Sequence, residues 1–190
     1  MRLEVLWRQL AGVGVEHLVL DLANGVHADG LAVGELDGSA YRMHYQIDCS
    51  AAWVVRRMHI DNLLSGQHAD LSRSDDGHWQ DVASGVGLDS LYGCTDVDIM
   101  VTPFTNTLPI RRLGLKAGRS AEIAVVYVAV PGLVISKAEQ RYTCLSLTES
   151  GGLYRYEGPG TDFVADVTVD TDGLVVNYPN IFKMDAKRTL

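Results

Sequence analysis

Proline is missing from the first part of the chain: all five prolines fall at or beyond Pro103. Cysteine is scarce, and Cys49, Cys94 and Cys144 lie far apart and outside any C-x-x-C spacing. That excludes a disulfide-stapled scaffold and gives no zinc knuckle, so the three read as reduced, buried small hydrophobes. No apolar run reaches the length of a membrane-spanning helix, so no integral membrane segment is expected. The opening MRLEVLWRQLAGVG is broken by Arg2, Glu4 and Arg8 and lacks the apolar core of a signal peptide, which predicts a cytoplasmic location. Positive charge is also in deficit, with 16 Lys and Arg against 24 Asp and Glu. A diffuse negative field lacks the basic footprint that nucleic acid or an anionic membrane surface requires.

Catalytic and cofactor signatures are equally thin. There is no G-x-S-x-G elbow and no Gly-Lys-Ser/Thr phosphate loop. Gly12-Val13-Gly14 starts a dinucleotide fingerprint, but His17 stands where its third glycine belongs. Six histidines form no metalloprotease helix motif. No cofactor and no metal are expected.

What is present is alternation. In Tyr41–Asp48 the odd positions are apolar or aromatic and the even ones polar, which makes a strand with one dry face and one hydrogen-bonding face. Phe163–Asp170 repeats the pattern, and Asp172-Gly173 turns it into Leu174–Tyr178. Gly151-Gly152 separates Tyr142–Leu147 from Leu153–Glu157, while Asp29-Gly30, Asp37-Gly38 and Asp76-Gly77 are further turn candidates. Ala121–Val130 is apolar on nearly both faces and reads as a strand covered on both sides. Helical periodicity is confined to Gln80–Leu88 and Phe104–Leu113, the second with Pro109 placed to open a helical turn. With no repeat or linker, residues 1–190 predict one domain, mainly β: a strongly curved antiparallel sheet, rolled or barrel-like, with one or two short helices.

Several side chains invite chemistry. Asp96 and Asp98 share a strand face, but Met100 holds the next position and supplies no third ligand. Asp170-Thr171-Asp172-Gly173 resembles the start of a calcium loop, but its continuation reads as a hairpin. His44 shares a polar face with Arg42, Gln46 and Asp48, and His59 shares one with Asp61. In Trp53–Met58, strict alternation sets Arg56 beside Val54 and Met58 on an apolar face, where a guanidinium needs an acidic, carbonyl or ligand partner. The most unusual stretch is Thr102–Leu113, TPFTNTLPIRRL. Two prolines stiffen a Thr-Asn-Thr run ahead of adjacent Arg111 and Arg112. Rigid short polar groups lose little entropy on binding, and an arginine fork suits phosphate, carboxylate or vicinal hydroxyls. The same residues also suit an internal turn in which an arginine pairs with Asp96 or Asp98.

That stretch, Asp96-Val97-Asp98 followed by Pro103–Leu113, together with Gln140–Thr143, Val169–Val175 and Tyr178-Pro179, resembles the signature of a bacterial family described as "putative glycolipid-binding" proteins. The resemblance runs along the whole chain. It implies a spiral β-roll enclosing a groove, a shape similar to that of bacterial lipoprotein carriers, and it carries over no catalytic residues. The expected function is then non-catalytic binding of an amphipathic small molecule, a glycolipid by resemblance. Trp53 and its neighbours would meet acyl chains. Arg56, Asn106, Arg111, Arg112 and Gln140 would meet the polar head, and Thr105, Thr107 and Tyr142 complete the expected ligand-binding set. The sequence is also compatible with a second copy closing the groove as a homodimer. Two rivals stand beside this reading: a small hydrolase or isomerase on a sugar or lipid ester, using His44 or His59 with Asp96 or Asp98, and a subunit that binds a partner strand by edge addition.

Overall fold

The computed structural model describes residues 1–190. The first half of the chain folds into β1 (Arg2–Gln9), β2 (Gly14–Asp21), β3 (Val26–Leu36), β4 (Ser39–Cys49), β5 (Val55–Asn62), β6 (His68–Arg73) and β7 (Trp79–Asp81). The second half contributes β8 (Asp96–Ile99), the helix α1 (Thr107–Leu113), β9 (Ser120–Ala129), β10 (Val134–Thr148), β11 (Gly151–Glu157), β12 (Val164–Val169), β13 (Val175–Tyr178) and β14 (Phe182–Thr189). All fourteen strands join one open, strongly curled sheet in the order β7-β6-β5-β4-β3-β2-β1-β14-β13-β12-β11-β10-β9-β8. Every ladder is antiparallel except β8–β9. The mainly β, rolled architecture expected from alternation is therefore the one observed.

Two apolar clusters divide the interior. The larger gathers the inward residues of β1–β5, among them Trp7, Leu18, Tyr45, Ile47 and Ile60, with Trp79, Phe104, Val126 and Val128. The smaller gathers Ile110, Ile123, Val125, Tyr142, Tyr154, Val167, Tyr178 and Phe182. Strand β9 serves both: Val126 and Val128 face the first cluster, Ile123 and Val125 the second. That is why its sequence is apolar on both faces. The end of the sheet is thus wound inside the roll.

Asp29-Gly30 is not a turn, as its residue types suggest, but lies inside β3 opposite Tyr45. A Cβ on Gly30 would sit 2.2 Å from the Tyr45 ring, so the glycine makes room for an aromatic laid across the strand. Gly30→Ala is expected to cost about 1–3 kcal/mol through overpacking, read from the shift in urea midpoint. Gln80–Leu88 is no helix either. Val86 and Gly87 fold back on β7, with Gln80 bridged to Gly87, because the Asp81–Ser84 turn is fixed by Asp81 accepting from the Ser84 amide at 2.8 Å. Helical structure does form at Phe104–Leu113, but it starts after Pro103 with a 3-10 turn, and Pro109 falls inside α1 rather than at its first position. Gly114 ends α1 in the left-handed conformation, its amide donating to the Ile110 carbonyl at 3.2 Å.

The expected Arg56 face is also corrected. The β4–β5 register shifts between Asp48 and Cys49, which pair with Arg57 and Val55 and leave Arg56 bulged. Val55 and Met58 point inward, while both arginines are exposed. Arg56 pairs with Asp75, and Arg57 forks onto Asp70 at 2.6 and 2.8 Å.

Candidate functional site

On the face of the sheet that carries the smaller cluster, β8–β11 and the β13–β14 corner enclose a cavity of about 990 Å³. Its walls place chemistry by strand alternation. On β9, Tyr127 follows Ile123 and Val125 onto this face. On β10, Gln140 follows Ala138. On β8, Asp98 pairs in register with Tyr127. Leu36, Met100, Val101, Ile181 and Phe182 make the rest largely apolar.

At the polar end, the half-buried Asp98 accepts from Gln140 Nε2 at 2.6 Å and from Thr105 Oγ1 at 3.2 Å. Burial raises its carboxyl above the ordinary range, although both hydrogen bonds pull the other way. Lys137 and Glu139 also line the cavity, and Lys137 Nζ donates to the Tyr92 carbonyl at 3.1 Å. Asp98 and Glu139 are the two carboxyls along its wall, Asp98 half-buried and Glu139 exposed. Around Asp98 stand Tyr127, Tyr156 and Tyr178; the Tyr156 hydroxyl has the Gln140 side chain as a hydrogen-bonding neighbour. Burial pushes all three phenols upward, so they remain neutral donors and acceptors. Tyr156, Phe163 and Tyr178 have ring centroids 5.8 to 6.4 Å apart and tilt 48° to 60° from one another, forming an aromatic corner.

The candidate residues read from sequence fall into groups. Asn106 and Gln140 line the cavity. Tyr142 and Thr105 brace it from behind: Tyr142 donates to Asn106 Oδ1 at 2.9 Å, and Thr105 donates to Asp98. Thr107 is fully buried, its hydroxyl unpaired. Arg112 is engaged internally, its fork closing on Asp96 at 2.5 and 3.0 Å and on Thr95 Oγ1 at 3.0 Å. Arg111 stacks over Trp53 at 5.2 Å, and Trp53 is buried in the larger cluster, away from the cavity. Arg56 lies on the outer surface with Asp75.

The histidines belong to another surface. His44 contacts Asp29 at 3.1 Å and Asp61 at 3.7 Å, and His59 contacts Asp61 at 3.0 Å and Asp70 at 3.6 Å. Neither histidine is brought to Asp96 or Asp98. The pair formed by Asp170 and Asp172 holds Lys187 Nζ between them, which is a hairpin clasp.

A buried acid adjoins the cavity. Glu16, only 1% exposed, points inward from β2 in register with Leu18 and Leu20, and that register is the sequence signal for it. Its Oε1 accepts from Tyr45 at 2.5 Å and from Thr102, a cavity-wall residue, at 2.7 Å, while Oε2 has no partner. Burial outweighs the two hydrogen bonds and raises its carboxyl to about 7.

A curled, open, mainly antiparallel sheet with a pocket half open to solvent, apolar over most of its wall and polar at one end, defines the class: a β-roll. The chain belongs to the family described as "Putative glycolipid-binding", which it matches over residues 4–184. It is also similar to a crystal structure of a DUF1089 family protein from Pseudomonas aeruginosa, at 36% identity and a TM-score of 0.77, covering 90% of this chain and 91% of that one. No curated protein matches the chain. No helix is long and apolar enough to cross a membrane.

Proposed function

We propose that this protein binds an amphipathic molecule, a glycolipid in keeping with its family's description, non-covalently in the cavity between β8–β11 and the β13–β14 corner. The observation that carries the reading is the cavity itself. Its volume lies at the upper end of the range for small-molecule sites, about 300–1,000 Å³. Its wall separates an apolar stretch from a cluster of hydrogen-bonding groups, as a ligand with a tail and a head demands. Burying a tail yields about 0.8 kcal/mol per methylene, enough for useful affinity from a short chain.

Native mass spectrometry of gently purified protein, followed by organic extraction, tests this directly. A discrete amphiphile at near-stoichiometric occupancy is the expected result. Ala138→Trp, which places an indole in the cavity, is expected to abolish that adduct while leaving the circular dichroism spectrum unchanged. Bare protein that takes up nothing from a bacterial lipid extract would overturn the assignment.

A further inference from the structure

We infer that Arg111 heads a second binding site, separate from the cavity, that takes an oxyanion of the phosphate or carboxylate class. The site is a hollow of about 370 Å³ between the end of α1, the β10–β11 turn and the β12–β13 turn. Arg111, Leu115, Leu147, Tyr154, Asp170 and Thr171 are among its walls, and it shares no lining residue with the cavity of β8–β11. The inference is independent of what fills that cavity.

Arg111 is exposed, yet it is gripped at both ends. Its stem crosses Gly173, where a Cβ would lie 2.7 Å from Arg111 Cδ and 3.0 Å from Cγ. Its head lies over the Trp53 ring, 5.2 Å from the centroid. Trp53 itself has φ +63°, a left-handed conformation that a bulky residue adopts only where its surroundings impose it. Backbone strain of this kind collects at ligand clamps. The grip leaves the fork free, because stacking uses the face of a guanidinium while its N–H donors point outward in the plane. Arg56, Arg57, Arg112 and Arg155 each close on an aspartate, whereas Arg111 forms no ion pair. Asp170, the carboxylate that lines the hollow, is already taken. Its Oδ1 accepts from the amides of Asp172 and Leu174 at 2.9 and 3.0 Å, and its Oδ2 from Lys187 Nζ at 2.6 Å. Lys187 also offsets its charge. A fixed fork with unclaimed donors is what bidentate recognition of phosphate or carboxylate requires, and a side chain already held loses little entropy on binding. Leu115, Leu147 and Tyr154 offer an apolar wall to whatever carries the anion. Of the two adjacent arginines, Arg112 thus ties the fold and Arg111 is presented.

The test follows the Arg111 Nε–H resonance of isotope-labelled protein by NMR. Inorganic phosphate, acetate and hexyl phosphate are each titrated at constant ionic strength, with sodium chloride as the balance. A saturable shift of that resonance with phosphate or acetate is expected, at a dissociation constant in the millimolar range or tighter. Whichever of the two binds more tightly identifies the oxyanion. Hexyl phosphate binding more tightly than inorganic phosphate assigns the site to an organic phosphate whose carbon chain uses the apolar wall, and equal affinity assigns it to the free anion. Arg111→Ala is expected to abolish binding, read from the neighbouring backbone amides of Gly114 and Thr171. Arg111→Lys, which keeps the charge and loses the fork, is expected to weaken it by about fivefold or more. Lys116→Ala, which removes an exposed charge just beyond α1, is expected to change nothing. The proposal is overturned if phosphate and acetate move the resonance no more than sodium chloride does, if the shift grows without saturating, or if Arg111→Ala and Lys116→Ala titrate alike.

Discussion

Replacing Arg112 by alanine is expected to cost about 3–5 kcal/mol of stability, the range for removing one partner of a buried ion pair. Asp96 has no exposed surface, and both its carboxylate oxygens rest on the Arg112 fork. Truncating the arginine leaves a buried charge without its counter-ion between α1 and β8. The neighbouring Arg111→Ala removes only the stack over Trp53, for which about 0.5–1 kcal/mol is expected. Two adjacent arginines should thus differ several-fold in their effect on the urea midpoint. The double variant Arg112→Ala, Asp96→Asn is expected to recover part of the loss, because the stranded charge goes with the carboxylate. A loss below about 1 kcal/mol for Arg112→Ala would mean that Asp96 finds another partner or access to solvent.

Glu16→Gln is expected to stabilise the protein at pH 8 by about 3 kcal/mol and to change little at pH 5. The carboxyl titrates at about 7 in the folded chain against an ordinary 4.5. An acid whose folded value is raised imposes no penalty below 4.5, where both states are protonated. The penalty grows as pH climbs from 4.5 to 7 and is complete above 7, at about 1.4 kcal/mol for each tenfold change in proton activity. Glutamine imitates the neutral acid: its carbonyl still accepts from Tyr45 and Thr102, and its amide takes the place of the unpartnered Oε2. Thermal melts of both proteins across pH 5 to 8 should therefore converge at the acid end and separate at the alkaline end. Parallel curves would mean that Glu16 ionises in the fold at its ordinary value.

The strands were legible because alternation in sequence is alternation in space. Tyr41, Met43, Tyr45 and Ile47 all point inward from β4, as their pattern says. The two-faced β9 was legible for the same reason. Local exceptions were not. One extra residue at Arg56 reverses the parity of everything before it, and nothing in Trp53–Met58 announces a bulge. Asp29-Gly30 has the residue types of a turn, but the reason for Gly30 is Tyr45 on the next strand. The site was half visible. Asn106, Gln140 and the Asp96–Arg112 pairing could be considered from the sequence. Tyr127, Tyr156 and Tyr178 could not be assembled, since alternation gives the face a residue takes and not what stands opposite it.

The strand order also governs when the pocket can exist during synthesis. Every neighbour in the sheet is a neighbour in the chain, with one exception: β1 pairs with β14, from Leu3 opposite Thr189 to Gln9 opposite Phe182. The molecule is an N-terminal meander and a second run of strands, ended by the parallel β8–β9 pair, joined along one seam between its first and last strands. While the ribosome is still adding β13, the N-terminal meander can fold, but β1 presents an open edge with free backbone groups. Phe182, a wall of the cavity, arrives with the strand that covers that edge. Completion of the fold and completion of the pocket are therefore the same event, and a chain cut a few residues short of β14 would lose both.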